Sequence, residues 1–324
     1  MSETGSPAVV DFHVHYVDPA HPPALWASAK PEVAKLRERT VHRIVDLDDV
    51  LTAAENGDIA TRVLNAPPSL VAAAGTTLPA RVVREINDHL AAAVAAHPGR
   101  LLGLATVDAW QGEEAAAELR RAVTELHLSG AVVDAATDGG DRLLDDPAAY
   151  PTLRTAAELG VPVFVHPINP RGLTDQLDGI GRSGTLLARG TIDAASLLAL
   201  LHSTVFDDLP DLRIVIPLIG APALLLGTFA GLTEKISRHA PDHLRRHVYV
   251  DTMGFDPTSI RYLVDVVGAD HVLLGSDSPI VAESIDRTEV LAALAAAGLD
   301  EADITAVAGG NARRLLGVPE RVGT

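Results

Sequence analysis

The chain has 324 residues, 47% of them hydrophobic, with no cysteine and a formal net charge of −17 at neutral pH. This composition supports a large core without disulfides or thiolate metal ligands, and it fits a reducing cytoplasm. The negative charge disfavours nucleic acid and anionic lipid as partners, and neither a secretory signal nor an unbroken apolar stretch of 18 residues is visible, so we expect no membrane partner.

Eight short β-rich segments alternate with helix-like Ala/Leu segments along the chain. The segments are 9–15, 60–66, 101–107, 130–136, 162–167, 212–219, 247–252 and 271–277. Such alternation is typical of a parallel sheet built from βα units, and eight units in this length favour an α/β fold of the closed (β/α)₈ TIM barrel type. A doubly wound open sheet is the alternative. No strand is followed by a dinucleotide or nucleoside triphosphate motif.

The connection after the first segment is unusually long. Residues 16–57 exceed a simple βα connection, so we interpret them as an insertion and a candidate lid over the barrel mouth. No Pro/Ser-rich linker or internal repeat divides the chain. We therefore predict a single barrel domain spanning 1–324.

The first strand, VVDFHVH, carries two histidines separated by one valine. Strand side chains alternate, so Asp11, His13 and His15 are predicted to share one face, which in a barrel is the interior. Buried imidazoles need partners, and a shared metal ion satisfies both at once. On its own, the pair is a weak signal, and incidental structural histidines explain it better.

Two further residues lie at strand ends. His166 ends the fifth segment and Asp277 ends the eighth, both at the carboxyl edge where barrel enzymes keep their active sites. Alternatively, His166 bonds to backbone and Asp277 caps a helix or turn. Convergence of all four residues favours a metal site instead. Three neutral nitrogens and one carboxylate suit zinc, with manganese, cobalt or iron as alternatives, and leave one position open.

Several stretches carry a family resemblance: DFHVH, LGVPVFVHP, LPDLRIVI, VYVDT, VGADHVLLGSDSP and GGNARRLLG. Over essentially its whole length the chain resembles the amidohydrolase superfamily, in the branch typified by 2-amino-3-carboxymuconate-6-semialdehyde decarboxylase and γ-resorcylate decarboxylase. The resemblance implies a (β/α)₈ barrel with one divalent metal held by His13, His15, His166 and Asp277.

The chain departs from that branch at the sixth strand. Relatives commonly carry a histidine there that helps to activate metal-bound water, whereas here the position falls at Leu218 or its neighbour. His202 is a candidate substitute, although a histidine on a helix face is ordinary. Asp277 is then the remaining proton carrier, a role similar to that inferred for the metal-bound aspartate of γ-resorcylate-type decarboxylases.

The lysines indicate one metal rather than two. Two-metal relatives bridge their ions with a carboxylated lysine at the end of strand four, but the three lysines, Lys30, Lys35 and Lys235, are far from strand ends in the sequence. Asp134 ends the fourth segment and either lines the cleft or caps the next loop. Asp251, at the end of the seventh, is a candidate for orienting a ligand histidine.

Substrate contacts are assigned to the segments around the predicted mouth. Arg43 and Arg171 are candidates for pairing with a substrate carboxylate, with ordinary surface ion pairs as the alternative. Trp26 is the main candidate for stacking on a planar substrate, together with Tyr16 and Phe255, although packing explains these side chains equally well.

These observations predict a single-metal enzyme that decarboxylates a small aromatic or unsaturated carboxylic acid without an organic cofactor. One alternative is a metal-dependent hydrolase of an amide, lactone or β-diketone, and another is a non-catalytic metal-binding barrel. Because relatives of this branch are often dimers, a homodimer is also expected.

Overall fold

The structure is a computed structural model that describes residues 7–23, 31–73, 75–137, 139–230 and 240–318. The strands are β1 (Val10–His15), β2 (Thr61–Asn65), β3 (Leu101–Gly103), β4 (Ala105–Thr106), β5 (Ala131–Asp134), β6 (Val163–His166), β7 (Ile214–Ile216), β8 (Val248–Asp251) and β9 (Val272–Leu273). Each of the eight predicted segments contains a strand, and the third contains two.

Helices follow the strands along the chain. They are α1 (Pro31–Ile44), α2 (Leu47–Asn56), α3 (Pro68–Val71), α4 (Ala80–Ala96), α5 (Glu113–Thr124), α6 (Tyr150–Leu159), α7 (Arg171–Leu177), α8 (Arg182–His202), α9 (Val205–Asp208), α10 (Pro222–Ala230), α11 (Ala240–His247), α12 (Pro257–Val267), α13 (Arg287–Ala296), α14 (Glu301–Thr305) and α15 (Asn311–Leu315).

All strand pairs are parallel, in the orders β1-β2-β3 and β4-β5-β6-β7-β8-β9. Only Leu104 separates β3 from β4, and its amide donates to Leu64 in β2, so these two short strands are one strand interrupted at a single residue. The two strand groups are therefore continuous through Leu104.

The first and last strands also join. The Phe12 amide donates to the Leu274 carbonyl at 2.8 Å, and the His15 amide donates to the Ser278 carbonyl at 2.8 Å. These bonds close the ring of eight strands, which confirms the predicted (β/α)₈ barrel.

Valine, leucine and phenylalanine fill the barrel because parallel strands are covered on both faces. The inner layer takes side chains from around the ring: Val10, Phe12, Val63, Leu104, Val132, Phe164, Val215 and Leu273. Phe12 and Phe164 meet edge to face, with ring centroids 5.7 Å apart. Ala312 and Leu315 of α15 pack against this layer and cover the end of the barrel opposite the strands' carboxyl ends.

A bulge in β1 corrects one prediction from the sequence. The register with β2 shifts between Asp11 and Val14, so Phe12 and His13 both turn inward and both rings contact Phe164. Asp11 does not share their face: it accepts bonds from the Ser276 amide and hydroxyl. The prediction that Asp11 points inward with the histidines was wrong because it assumed unbroken alternation.

The predicted insertion contains α1 and α2. The end of α1 returns to the segment just after β1, where the Val17 amide donates to the Ile44 carbonyl, and Ile44 packs with Leu70 and Val83 from the β2–β3 connection. The insertion is thus anchored beside the carboxyl ends of β1 and β2.

Among the helices that the structure describes, α8 alone is long and apolar enough to cross a membrane by length and composition. In this fold 56% of its apolar stretch is buried, as is common for a core helix. The absence of a membrane partner stays a prediction.

Gly309 allows the closing helices to approach β1. A Cβ there would lie 2.4 Å from the Ala8 carbonyl oxygen and 3.0 Å from a Val10 methyl group. We expect Gly309→Ala to lower the free energy of unfolding by about 1–3 kcal/mol through overpacking. Nothing lies near the new methyl group in Gly172→Ala, so the free energy of unfolding of that variant should stay the same or rise slightly. Denaturant titration of both variants measures the difference, and equal stabilities would contradict the steric argument.

Candidate active site

Three histidines meet at the carboxyl end of the barrel. His13 and His15 come from the end of β1, and His166 ends β6 across the barrel. Each offers one ring nitrogen, and these nitrogens all lie within 4.8 Å of one another. The rings of His13 and His166 each stand nearly perpendicular to that of His15, with centroids 5.0 Å from it.

Asp277 approaches the same cluster from the other side of the ring closure. Its Oδ1 lies 3.0 Å from His15 Nε2 and 3.5 Å from His13 Nε2. Asp277 adopts a left-handed backbone with φ of 53°, a conformation that aspartate tolerates better than most residues and that is often found at functional sites. The carboxylate contacts two of the three histidines, and it does not come within the 4.8 Å spacing of the third.

The cluster fits a divalent cation. The buried His166 Nδ1 and Asp277 Oδ1 have no hydrogen-bond partner among the described residues. Asp277 Oδ1 approaches His15 Nε2, but without hydrogen-bond geometry. Burial is the main cause that holds the pKa of His166 well below its usual range and lowers that of His15. Three imidazoles beside a carboxylate are a common transition-metal ligand set.

Asp251 orients His13, as predicted. The His13 Nδ1–H donates to Asp251 Oδ2 at 2.7 Å, which leaves Nε2 directed at the cluster. Burial alone lowers the pKa of His13, but the Asp277 and Asp251 carboxylates outweigh it and raise the pKa. The amides of Leu218 and Met253 donate to the other Asp251 oxygen, each at 3.1 Å.

We expect Asp251→Asn to weaken metal binding by about 10–100-fold, because the amide cannot hold His13 as firmly as a carboxylate does. Competition of a chelator for the bound ion measures this affinity. Asp265→Asn is the matched control, since Asp265 is exposed on α12 and pairs with Arg261 of its own helix. If Asp251→Asn binds metal as tightly as Asp265→Asn does, Asp251 does not orient His13 for metal binding.

Leu218 follows the end of β7, in a turn that continues to Gly220. The turn contributes its backbone amide to Asp251 instead of a side-chain base. His202 does not substitute, because it is exposed at the far end of α8.

Asp134 ends β5 beside His166 in register. It accepts bonds from the Ser69 amide at 2.9 Å and hydroxyl at 2.6 Å, so it fastens the loop that follows β2 rather than capping its own loop. Burial raises the pKa of Asp134 to about 7 despite the bonds from Ser69.

Two charged residues of the site were missed in the sequence. Arg189 and Asp193 interrupt the apolar stretch of α8 at an i, i+4 spacing. Asp193 is fully buried, and the charge of Arg189 acts on His15, His166 and Asp277. The signal available was a pair of opposite charges on the buried face of a helix.

Two of the predicted substrate residues, Arg43 and Arg171, lie in the described part of the chain. Arg43 Nε donates to Asp49 at 2.9 Å and its Nη2 donates to the Glu283 carbonyl at 2.7 Å. Arg171 is exposed at the start of α7, with its guanidinium against Gly75. Trp26 lies outside the described residues, as do Lys30 and Lys235.

The two other aromatic candidates are both engaged in packing. Tyr16 is buried and its hydroxyl is hydrogen-bonded to His89 at 2.8 Å. Phe255 is half-buried against the outer core.

Comparison with known proteins agrees with this geometry. The amidohydrolase family profile matches residues 10–318. Gamma-resorcylate decarboxylase of Rhodococcus jostii (strain RHA1) is 30% identical over 302 residues, which are 85% of this chain and 88% of that protein.

Solved structures of decarboxylases superpose on the chain over almost its whole length. The 2,6-dihydroxybenzoate decarboxylase from Rhizobium superposes with a TM-score of 0.78 at 27% identity, covering 96% of this chain and 99% of that one. A dihydroxybenzoic acid decarboxylase from Polaromonas sp. JS666, solved with bound manganese and the inhibitor 2-nitroresorcinol, has a TM-score of 0.76 at 24% identity, covering 96% and 97%. The chain therefore belongs to the amidohydrolase family, and is a metal-dependent decarboxylase or hydrolase of it.

Proposed function

We propose that the protein removes CO₂ from an aromatic or unsaturated carboxylic acid, using one divalent metal and no organic cofactor. The observation that carries the proposal is the buried three-histidine cluster at the barrel mouth, with the unpartnered Asp277 Oδ1 beside it. The similarity to gamma-resorcylate decarboxylase and 2,6-dihydroxybenzoate decarboxylase supports the same reaction class.

His13, His15, His166 and Asp277 are the residues that would hold the ion. The donor set of three imidazoles and a carboxylate favours zinc, while the Polaromonas relative holds manganese, and cobalt or iron also suit such ligands. When bound, the ion supplies a Lewis acid for the substrate carboxylate or an adjacent hydroxyl oxygen.

The protein's own residues then position the substrate and move one proton. Asp251 keeps His13 in place. The bond between the carbon skeleton and the carboxyl group breaks, its electron pair stays on the carbon, and CO₂ leaves. The Asp277 carboxylate takes up a proton from water, passes it to that carbon and returns to its ionised form.

Arg43, Arg171 and Trp26 stay proposals as substrate contacts. Arg43 already bonds to Asp49 and the Glu283 carbonyl, so its contribution is the charge it adds beside the mouth. We also propose that the insertion at 16–57 acts as a cap on a single domain.

The test is CO₂ release by metal-loaded protein from a panel of hydroxybenzoates and muconate-type acids. In D₂O, one deuterium should appear on the carbon that lost the carboxyl group. Hydrolysis needs a base for water, and the described end of β7 supplies none. If no acid releases CO₂, and esters or lactones are cleaved with solvent oxygen entering the product, the protein is a hydrolase and the proposed decarboxylation is wrong.

A homodimer in the cytoplasm remains our proposal for the assembled protein. Leu187 of α8 and Leu225 and Leu226 of α10 are exposed apolar side chains on two helices that pack together, which fits a contact with a second copy. Sedimentation equilibrium tests the dimer directly.

A further inference from the structure

Helix α8 packs closely against the turn at the end of β7. A Cβ on Gly190 would lie 2.4 Å from the Ile219 carbonyl oxygen, and a Cβ on Gly220 would lie 2.2 Å from Asp193 Oδ2. Both glycines are therefore needed for this approach. The contact places Asp193 beside the turn whose Leu218 amide holds Asp251.

The carboxyl group of Asp193 accepts no hydrogen bond from the described residues. It is fully buried, and neither of its carboxyl oxygens has a hydrogen-bond partner among the described residues. Burial raises its pKa well above the usual range, although the charge of Arg189 opposes this shift. Neither Asp193 oxygen hydrogen-bonds to the guanidinium of Arg189, one helical turn earlier, although the charge of Arg189 acts on Asp193.

Arg189 adjoins Gly190, which packs against the Ile219 carbonyl of that turn, and the charge of Arg189 acts on His15, His166 and Asp277. Burial is the main cause of the low pKa of His166, and the charges of His15 and Arg189 add to it. Burial alone raises the pKa of Asp277, but the charges of His13, His15 and Arg189 outweigh it, so the pKa of that carboxyl group is lowered. Arg189 is half-buried and makes neither a hydrogen bond nor an ion pair with any residue in the described part of the chain. A guanidinium taken from water without a partner is costly, and an anionic ligand removes that cost.

We propose that Arg189 binds an anionic oxygen of the substrate at the metal centre, so that α8 supplies a polar contact that the Leu218 end of β7 lacks. This proposal rests on the proposed function in requiring an acidic substrate. The ligand class is an aromatic or unsaturated acid bearing a carboxylate or phenolate, which matches the planar fork of arginine.

The test uses benzoate as the probe, titrated calorimetrically into metal-loaded protein. Arg189→Met should raise the dissociation constant of benzoate by about 10–100-fold, as expected for the loss of a charge-assisted hydrogen bond. Arg189→Lys, which keeps the charge but not the fork, should fall between wild type and Arg189→Met. Arg182→Met is the matched control: Arg182 is exposed on the first turn of the same helix, and its removal should leave binding unchanged.

Metal content, measured for every variant, separates direct from indirect effects. Full occupancy with weakened benzoate binding supports the proposal, whereas a dissociation constant within about twofold of wild type overturns it. Weakened binding that follows a loss of metal also overturns it, because Arg189 would then act on the ligands. Should Arg189→Met not fold, Arg189→Lys decides alone: unchanged benzoate binding overturns the proposal. Benzoate binding without CO₂ release from any acid would instead contradict only the proposed reaction.

Discussion

Replacing Asp277 by asparagine should lower the rate of CO₂ release by about 10²–10⁴-fold, the range typical of a lost proton-transferring group. Asparagine keeps an oxygen near His13 and His15 but carries no acidic proton, so the carbon that loses CO₂ has no donor. The rate is measured on whichever acid of the panel the wild type turns over, together with deuterium incorporation from D₂O.

Metal content must accompany that measurement, because Asp277 is also a proposed ligand. Asp265→Asn, an exposed substitution on α12, is the control and should leave the rate unchanged. If Asp277→Asn retains its metal and also the wild-type rate, another residue carries the proton.

Replacing His166 by alanine should weaken metal binding by more than about 100-fold, which exceeds the loss expected for residues that only orient a ligand. His166 is the one ligand histidine from the far side of the barrel, so its removal leaves an incomplete set of His13, His15 and Asp277. Elemental analysis after dialysis should fall from about one metal ion per chain to a small fraction.

His202→Ala is the matched control, since His202 is exposed at the carboxyl end of α8. It should bind metal like the wild type. Equal metal content in the two alanine variants would mean that the ion binds elsewhere.

The barrel could be predicted from the sequence because its evidence is local and repeated. Each buried parallel strand is a short apolar run followed by a helical segment, and eight such units appear in order. The bulge in β1 could not be predicted in this way. It depends on pairing with β2 and β9, and it changes the direction of Asp11 while leaving His13 and His15 inside.

The cluster of His13, His15 and His166 was also accessible from the sequence, since these residues lie at strand ends that the fold brings to one edge. Arg189 and Asp193 were not, because a helix in the middle of the chain gives no indication of which strand end it crosses. Their proximity to the site depends on the close packing of Gly190 and Gly220. Leu218 likewise contributes through its backbone amide, which any residue except proline could provide.

The most direct measurement is anomalous diffraction from crystals of the protein purified without chelator, collected at the absorption edge of the ion found by elemental analysis. We predict one anomalous peak per chain, about 2.0–2.3 Å from a ring nitrogen of His13, His15 and His166 and within reach of Asp277. A peak elsewhere, or no peak when the crystals have been soaked in zinc or manganese, would contradict the metal centre on which the proposed reaction depends.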